Sequence, residues 1–379
     1  MNRKKILFLT GTRADFGKLK SLISITQQSK DYEVHIFVTG MHLNSLYGST
    51  IDEIRKCGFN NLHPFINHEA VDNMDRTLSR TIDGFSHFVG ELRPDLIVVH
   101  GDRVEALAGA ITGSLNNILV AHIEGGEISG TIDELIRHAI SKLSHIHLVA
   151  NATAKRRLIQ LGELPISIFI LGSPDLDLMN PRKLPRLSDV KKYYDIEFEN
   201  FAIAIFHPVT TEFNSTKKHI KEFVNCLIDS KENYIVIYPN NDSGSSEILS
   251  EYKRFEGNKK IKLFPSIRFE YFLALLKNSK FILGNSSSGI REAPYYGVPA
   301  VDIGSRQNNR SKNPFIIHTD NDSGSILEAI KSTKNFQTSK VLSNSDFGQG
   351  NSDKLFKELL DGDEIWKINC QKQFQDIDE

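Results

Sequence analysis

The stretch "DLIVVHGDRVEALAGAITGSLNNILVAHIE" (residues 95–124) decides the fold. Two continuous apolar runs, "LIVV" and "ILVA", bracket a segment over 103–115 whose apolar residues recur at three- and four-residue spacing. A short unbroken apolar run predicts a strand covered on both faces, and the spaced segment predicts a helix. Strands of that kind lie in a parallel sheet with helices on each side. Outward from this unit the pattern repeats, with strands expected over 5–10, 33–40, 146–150 and 167–172 and helices near 16–29, 72–92, 131–144 and 152–161. It restarts after the proline-bearing "GSPDLDLMNPRKLPRLSDV" (172–190), with strands expected over 201–208, 234–242, 261–266, 280–287 and 299–304. The fold class is therefore α/β, as two Rossmann-like parallel-sheet domains over 1–172 and 173–362, with a cleft between them. A last helix is expected over about 363–379, where Trp366 and Phe374 need a packing surface.

Composition narrows the class of function. A length of 379 residues suits two domains, and 40% hydrophobic with 25% charged residues is a soluble globular balance. With 46 basic and 47 acidic residues the net charge is −1, so no global field draws the chain to nucleic acid or an anionic membrane. An anionic ligand must be held by local groups. The apolar "ILFL" near the N-terminus is too short for a signal peptide and reads as the first buried strand. No run approaches the roughly 18 to 20 apolar residues of a membrane span. Cys57, Cys226 and Cys370 stand far apart without metal-site spacing, which fits reduced thiols in a cytoplasmic protein. His145 and His147 share a strand face, but no acidic or cysteine partner stands at metal-motif spacing, so no metal is expected.

Ligands of such sheets bind beyond the carboxyl ends of the strands, and there the sequence places polar, glycine-bearing motifs. "GNSSSGIREAPYYGVPAVDIG" (284–304) runs Ser286 to Gly289 from a strand end into an expected helix start, which converges N–H groups and hydroxyls on a phosphate position. Glu292 is then within reach of ribose hydroxyls, although a serine-capped helix start would have a similar sequence. In "GTRADFGKLK" (11–20) Arg13 is available to a phosphate, without the spacing of a dinucleotide fingerprint or a P-loop. Asp102 in "HGDR", Glu124 in "HIEGGE" and Asp133 gather three carboxyls at neighbouring strand ends. Crowded acids perturb one another and supply the protonated and ionised forms an acid/base reaction uses. Helix capping by Asp102, or an exposed pair between Asp133 and Arg137 one turn on, would also account for these residues. Glu127 and Glu134 read as surface or capping residues. His207 in "FHPVTTE" (206–212) opens a loop at the second sheet and is favoured as a phosphate or leaving-group contact.

In order, "GTRADFGKL", "TGMHL", "HGDRVEALA", "HIEGGEISGTIDELIRHAISKLSH", "FHPVTTE", "YPNND", "GNSSSGIREAP" and "GSRQNNR" resemble the hydrolysing UDP-N-acetylglucosamine 2-epimerases of bacterial sialic acid synthesis. The resemblance is close over about the first 310 residues and loose beyond. It implies a GT-B fold with UDP in the cleft and a C-terminal helix that crosses back to the first domain. The implied reaction expels UDP to form 2-acetamidoglucal and adds water to give N-acetylmannosamine, without metal or nicotinamide cofactor. By motif, Asp102, Glu124 and Asp133 become the acid/base residues, and UDP contacts fall to Arg13, Arg103, His207, Asn240, Ser286, Ser287, Glu292 and Arg306. Relatives suggest a homodimer or homotetramer. Similar enzymes act on UDP-N,N′-diacetylbacillosamine in legionaminic acid synthesis, and "TIDGFSHFVGEL" and "AKRRLIQLGE" are close to that group. A non-hydrolysing epimerase fits the "GEISGTID" loop less well, and a GT-B glycosyltransferase has no need of three acids. A non-catalytic UDP-sugar sensor would not need the complete acid set.

Overall fold

Buried apolar runs become strands here because each is covered on both faces. The computed structural model describes residues 3–48, 50–68, 73–129, 131–209, 212, 215–240, 242–336 and 347–376. One sheet holds β1 (Lys4–Thr10), β2 (Tyr32–Val38), β3 (Leu62–Pro64), β4 (Leu96–His100), β5 (Leu119–Ile123), β6 (Ile146–Val149) and β7 (Ile168–Ile170). Their order is β3-β2-β1-β4-β5-β6-β7, every pair parallel. The second sheet holds β8 (Ala202–Ile205), β9 (Tyr234–Ile237), β10 (Ile261–Phe264), β11 (Ile282–Gly284), β12 (Ala300–Ile303) and β13 (Ile316–Thr319). Its order, β10-β9-β8-β11-β12-β13, repeats the doubly wound plan, again wholly parallel. The chain divides into two units, one of Met1–Glu127, Asp133–Asn180 and Ser345–Glu379, the other of Ile128–Ile132 and Pro181–Asn344.

The stretch 95–124 forms β4, the helix Val104–Leu115 and β5, with both strands buried throughout. Small residues let that helix lie close on the sheet. A Cβ at Gly113 would stand 2.3 Å from Val120 Cγ2, and one at Gly109 2.7 Å from Val99 Cγ1. The helix Arg13–Gln27 starts at a capping box, in which Thr12 accepts from Asp15 N–H and Asp15 accepts from Thr12 N–H. It buries Leu19, Leu22 and Ile23 against β1 and β2.

Two edge strands have no apolar run to announce them. β3 is three half-exposed residues ending in Pro64, and β13 turns His318 outward. The helix expected over 363–379 does not form among the described residues. The last helix is Ser352–Asp361, and beyond it stands a single 3-10 turn, Ile365–Lys367. Three anchors explain the difference, because each needs the backbone open. Trp366 Nε1 donates to Leu360 O at 2.9 Å, with the Lys4 ammonium 3.5 Å from its ring centre. Cys370 O accepts from His145 Nε2 at 3.0 Å. Lys372 Nζ donates to Ser141 O, Ser144 O and the Glu163 carboxylate. Phe374 finds no packing surface and is 88% exposed.

Glu163 also receives His147 Nε2 at 2.9 Å and Lys142 Nζ at 3.0 Å, so the histidines of "SHIHL" serve the tail. Burial alone would raise the Glu163 pKa, but His147 and Lys372 outweigh it and bring it down to about 2. Because folding lowers this pKa from an ordinary 4.5, the stabilisation is complete above that value and is lost as pH falls towards 2. Glu163→Gln is expected to lose about 3 kcal/mol of unfolding free energy at neutral pH and to flatten the acid limb. Urea titrations across the acid range check both; an unchanged acid limb would show that Glu163 does not carry it.

Candidate active site

In each doubly wound sheet the chain turns to opposite faces after two neighbouring central strands, which leaves a notch at their carboxyl ends. In the first sheet those strands are β1 and β4, with β5 beside β4. Asp102 follows β4 after the single residue Gly101. His122 fixes the turn before it, donating from Nε2 to Gly101 O at 2.8 Å while Nδ1 accepts from Ser141 Oγ at 3.1 Å. Burial pushes the His122 pKa down to about 3, so this ring stays neutral with one proton.

Arg137, wholly buried on the helix Ile132–Leu143, is the centre of the site. Its Nη2 donates to Asp102 Oδ2, and its Nη1 to Glu127 O at 3.2 Å. Desolvation would lower the guanidinium pKa, but Asp102, Glu127, Glu124 and Asp133 together raise it. Asp102 thus contacts this cation, and Glu124 and Asp133 lie within its electrostatic reach. Glu124 follows β5 directly at φ +70°, a left-handed conformation a glutamate adopts only where its surroundings enforce it. Lys18 Nζ lies 2.8 Å and His100 Nε2 3.4 Å from Glu124 Oε1, and the residue is 4% exposed. The second of the two glycines that follow is needed there: at Gly126, φ +75°, a Cβ would stand 2.3 Å from Ala154 O.

Two readings are corrected here. Arg137 is not half of an exposed pair with Asp133, and Glu127, 8% exposed, is not a surface residue. Sequence reasoning also missed Lys18 and His100. A lysine among the buried positions 16–19 of an amphipathic helix, and a histidine closing the buried run "LIVVH", were the available signals. Arg13 pairs with Glu53 on the helix Ile51–Lys56. Arg103 begins the helix after Asp102, with Nε 3.6 Å from Glu105 Oε2.

In the second sheet the notch lies between β8 and β11. His207 follows β8, and its Nδ1 accepts from Asn240 N–H at 3.0 Å. Ser286 Oγ accepts from Ser288 N–H at 3.3 Å, so it caps its own turn. The serines run into a 3-10 turn, Ser287–Gly289, which is followed by four helical residues, Glu292–Tyr295, with Pro294 among them. N–H groups gather there without a long helix dipole behind them. Glu292 is 2% exposed, and Arg306 Nη1 donates to Asn285 O at 3.2 Å. Among the described residues, no group of three or more His, Cys, Asp or Glu could hold a metal ion, and no helix is long and apolar enough to cross a membrane.

The sequence pattern of the UDP-N-acetylglucosamine 2-epimerase family matches residues 25–361. The chain belongs to that family. It is 48% identical over 377 residues to the UDP-N-acetylglucosamine 2-epimerase of Neisseria meningitidis serogroup B, covering 99% of both chains. It is 34% identical to the UDP-N,N′-diacetylbacillosamine 2-epimerase (hydrolyzing) of Legionella pneumophila, covering 94% of this chain and 95% of the other. The Methanocaldococcus jannaschii UDP-GlcNAc 2-epimerase, solved in complex with UDP-GlcNAc and UDP, matches with a TM-score of 0.81 at 20% identity over 94% of this chain and 100% of that one. That likeness is one of fold, and the fold is of the GT-B type.

The carboxylates near Arg137 depend on a buried cation, which gives a test of stability. Arg137→Met strands the carboxylates and is expected to cost about 3 to 5 kcal/mol of unfolding free energy. Adding Asp102→Leu removes one of the stranded charges and should recover part of that loss. Urea unfolding of both variants checks the coupling, and strictly additive losses would count against it.

Proposed function

We propose that the chain is a hydrolysing 2-epimerase that converts UDP-N-acetylglucosamine to N-acetylmannosamine and UDP. The observation that carries this is the buried Arg137 bonded to Asp102, with Glu124 and Asp133 within electrostatic reach of it and Glu124 held at the end of the adjacent strand by Lys18. Carbon 2 of an N-acetylhexosamine is a weak carbon acid, so its deprotonation must be coupled to departure of a good leaving group. A carboxylate takes the C2 proton, the C1–O bond breaks with its electron pair going to UDP, and a C1=C2 bond forms. Water then adds oxygen to C1 and a proton returns to C2 from the other face, which inverts that centre. Asp102, Glu124 and Asp133 divide these proton transfers. Arg13, Arg103, His207, Asn240, Ser286, Ser287, Glu292 and Arg306 hold the nucleotide, and cationic and N–H donors stabilise the charge UDP gains as it leaves. The greater identity to the Neisseria relative supports N-acetylglucosamine over diacetylbacillosamine as the sugar, and the hydrolysing name of the Legionella relative supports release of free sugar. The proposal places the enzyme in the cytoplasm as a homo-oligomer.

Incubation with each nucleotide sugar in D2O tests the reading. UDP-N-acetylglucosamine should give UDP and N-acetylmannosamine carrying one deuterium at C2. UDP-N-acetylmannosamine as the product would replace the reading with a non-hydrolysing one, and turnover of only the diacetylbacillosamine nucleotide would change the substrate. Asp102→Asn and Asp133→Asn should each lower kcat at least about 100-fold, with UDP affinity within a few-fold of the parent protein.

A further inference from the structure

We propose that Asn285, 1% exposed at the end of β11, is a positioning residue that sets the geometry of the nucleotide contacts in the second unit. The inference rests on the reading of that unit as the UDP site. Just before Asn285 the chain passes hard against β8. Gly284 sits at φ +133°, and a Cβ there would stand 1.8 Å from Ile205 O, so only glycine fits. Asn285 N–H then donates to the same Ile205 O at 3.1 Å. Past this point β8 and β11 part, and the side chain of Asn285 continues the pairing that the backbones cannot. Its Oδ1 accepts from His207 N–H at 2.7 Å, and its Nδ2 donates to His207 O at 2.9 Å. A planar amide matched to both the N–H and the C=O of one residue imitates a neighbouring strand and fixes that residue's backbone.

The consequences reach several groups assigned to UDP. With its backbone fixed, His207 holds its ring so that Nδ1 accepts from Asn240 N–H, which leaves the proton of the neutral ring on Nε2. The backbone carbonyl of Asn285 accepts from Arg306 Nη1 at 3.2 Å and from Gln307 Nε2 at 2.9 Å. Gln307 Oε1 in turn accepts from Arg310 Nη1 at 3.0 Å. Ser286 and Ser287 follow directly in the chain. Asn285 thus locates the His207 loop through its side chain and the Arg306 loop through its carbonyl. Truncating the side chain leaves the carbonyl in place, so the effect of Asn285→Ala is carried by His207.

The test compares the full-length parent protein with N285A, H207A and the double variant, using UDP binding by calorimetry and ring nitrogen shifts of His207 by NMR. N285A should bind UDP about tenfold to a hundredfold more weakly, the size expected for a buried hydrogen-bonding group left unmatched. The double variant should bind it only about as weakly as the worse single one. In the parent without nucleotide His207 should be the Nε2–H tautomer, and N285A should show a mixture, which a loop tether unrelated to the ring would not produce. If N285A does not fold, N285D is read in the same way, since it keeps an acceptor for His207 N–H and loses the donor to His207 O. UDP affinity within twofold of the parent, or losses that multiply, would overturn the role of Asn285 alone. A parent protein that does not bind UDP would overturn the reading of the second unit, and this role with it.

Discussion

Where a doubly wound sheet changes direction, two adjacent parallel strands send their chains to opposite faces, and the backbone just beyond them has no strand left to pair with. Those groups lie too deep for water to serve them all, so side chains must. Beside the corresponding place in the first unit, His122 reaches from β5 and donates to Gly101 O next to Asp102. Asn285 serves such groups in the second, matching both polar groups of His207. The same strand order in both sheets produces the same gap twice, and in each a residue within or beside it fixes a neighbour assigned to chemistry or binding.

Filling the first gap with charge has an energetic cost that determines its neighbours. A wholly buried guanidinium is tolerable only if carboxylates surround it, and an ammonium as deep as Lys18 requires the same of Glu124. The left-handed backbone of Glu124 adds about 1 to 3 kcal/mol of strain. Well-packed apolar residues would be steadier in that place, so the arrangement is kept at the expense of stability, as functional sites commonly are. Part of the compensation is visible behind it. β6, which pairs with β5, carries His147 and directly follows His145, and the C-terminal tail grips both, one directly and one through Glu163.

Elements with both faces buried were legible in the sequence, since burial writes itself as an unbroken apolar run. β4 and β5 lie within a residue or two of their expected bounds. β3 and β13 were not legible, because an edge strand half open to solvent mixes polar residues into three or four positions. Asp102 and Glu124 could be proposed because each follows a strand and Asp133 because it opens the next helix, but the burial of the guanidinium near them could not be read. An aspartate and an arginine four residues apart have the same spacing on a solvent face as in a core, and only the sheet beneath Arg137 decides. The tail misled for a related reason. Cys370 is held by His145 and Lys372 by Glu163, partners 225 and 209 residues away in sequence, and no local pattern records contacts at such a distance.

A single arginine among several carboxylates also suits the proposed chemistry better than isolated ion pairs would. Each proton taken from or returned to a sugar changes the charge of the site by one unit. Were each acid paired with its own cation, protonating it would leave that cation buried and unmatched, a penalty of several kcal/mol added to the reaction. Arg137 bonds Asp102 and is also stabilised by Glu127, Glu124 and Asp133, so when Asp102 or Asp133 is neutral the others still offset it, whereas Glu124 is matched by Lys18. The cost of moving a proton is then spread over the cluster. That buffering requires the acids to stay close while they exchange charge, and the fixed Gly101 turn, the constrained Glu124 backbone and the helix carrying both Asp133 and Arg137 each remove a way for them to separate.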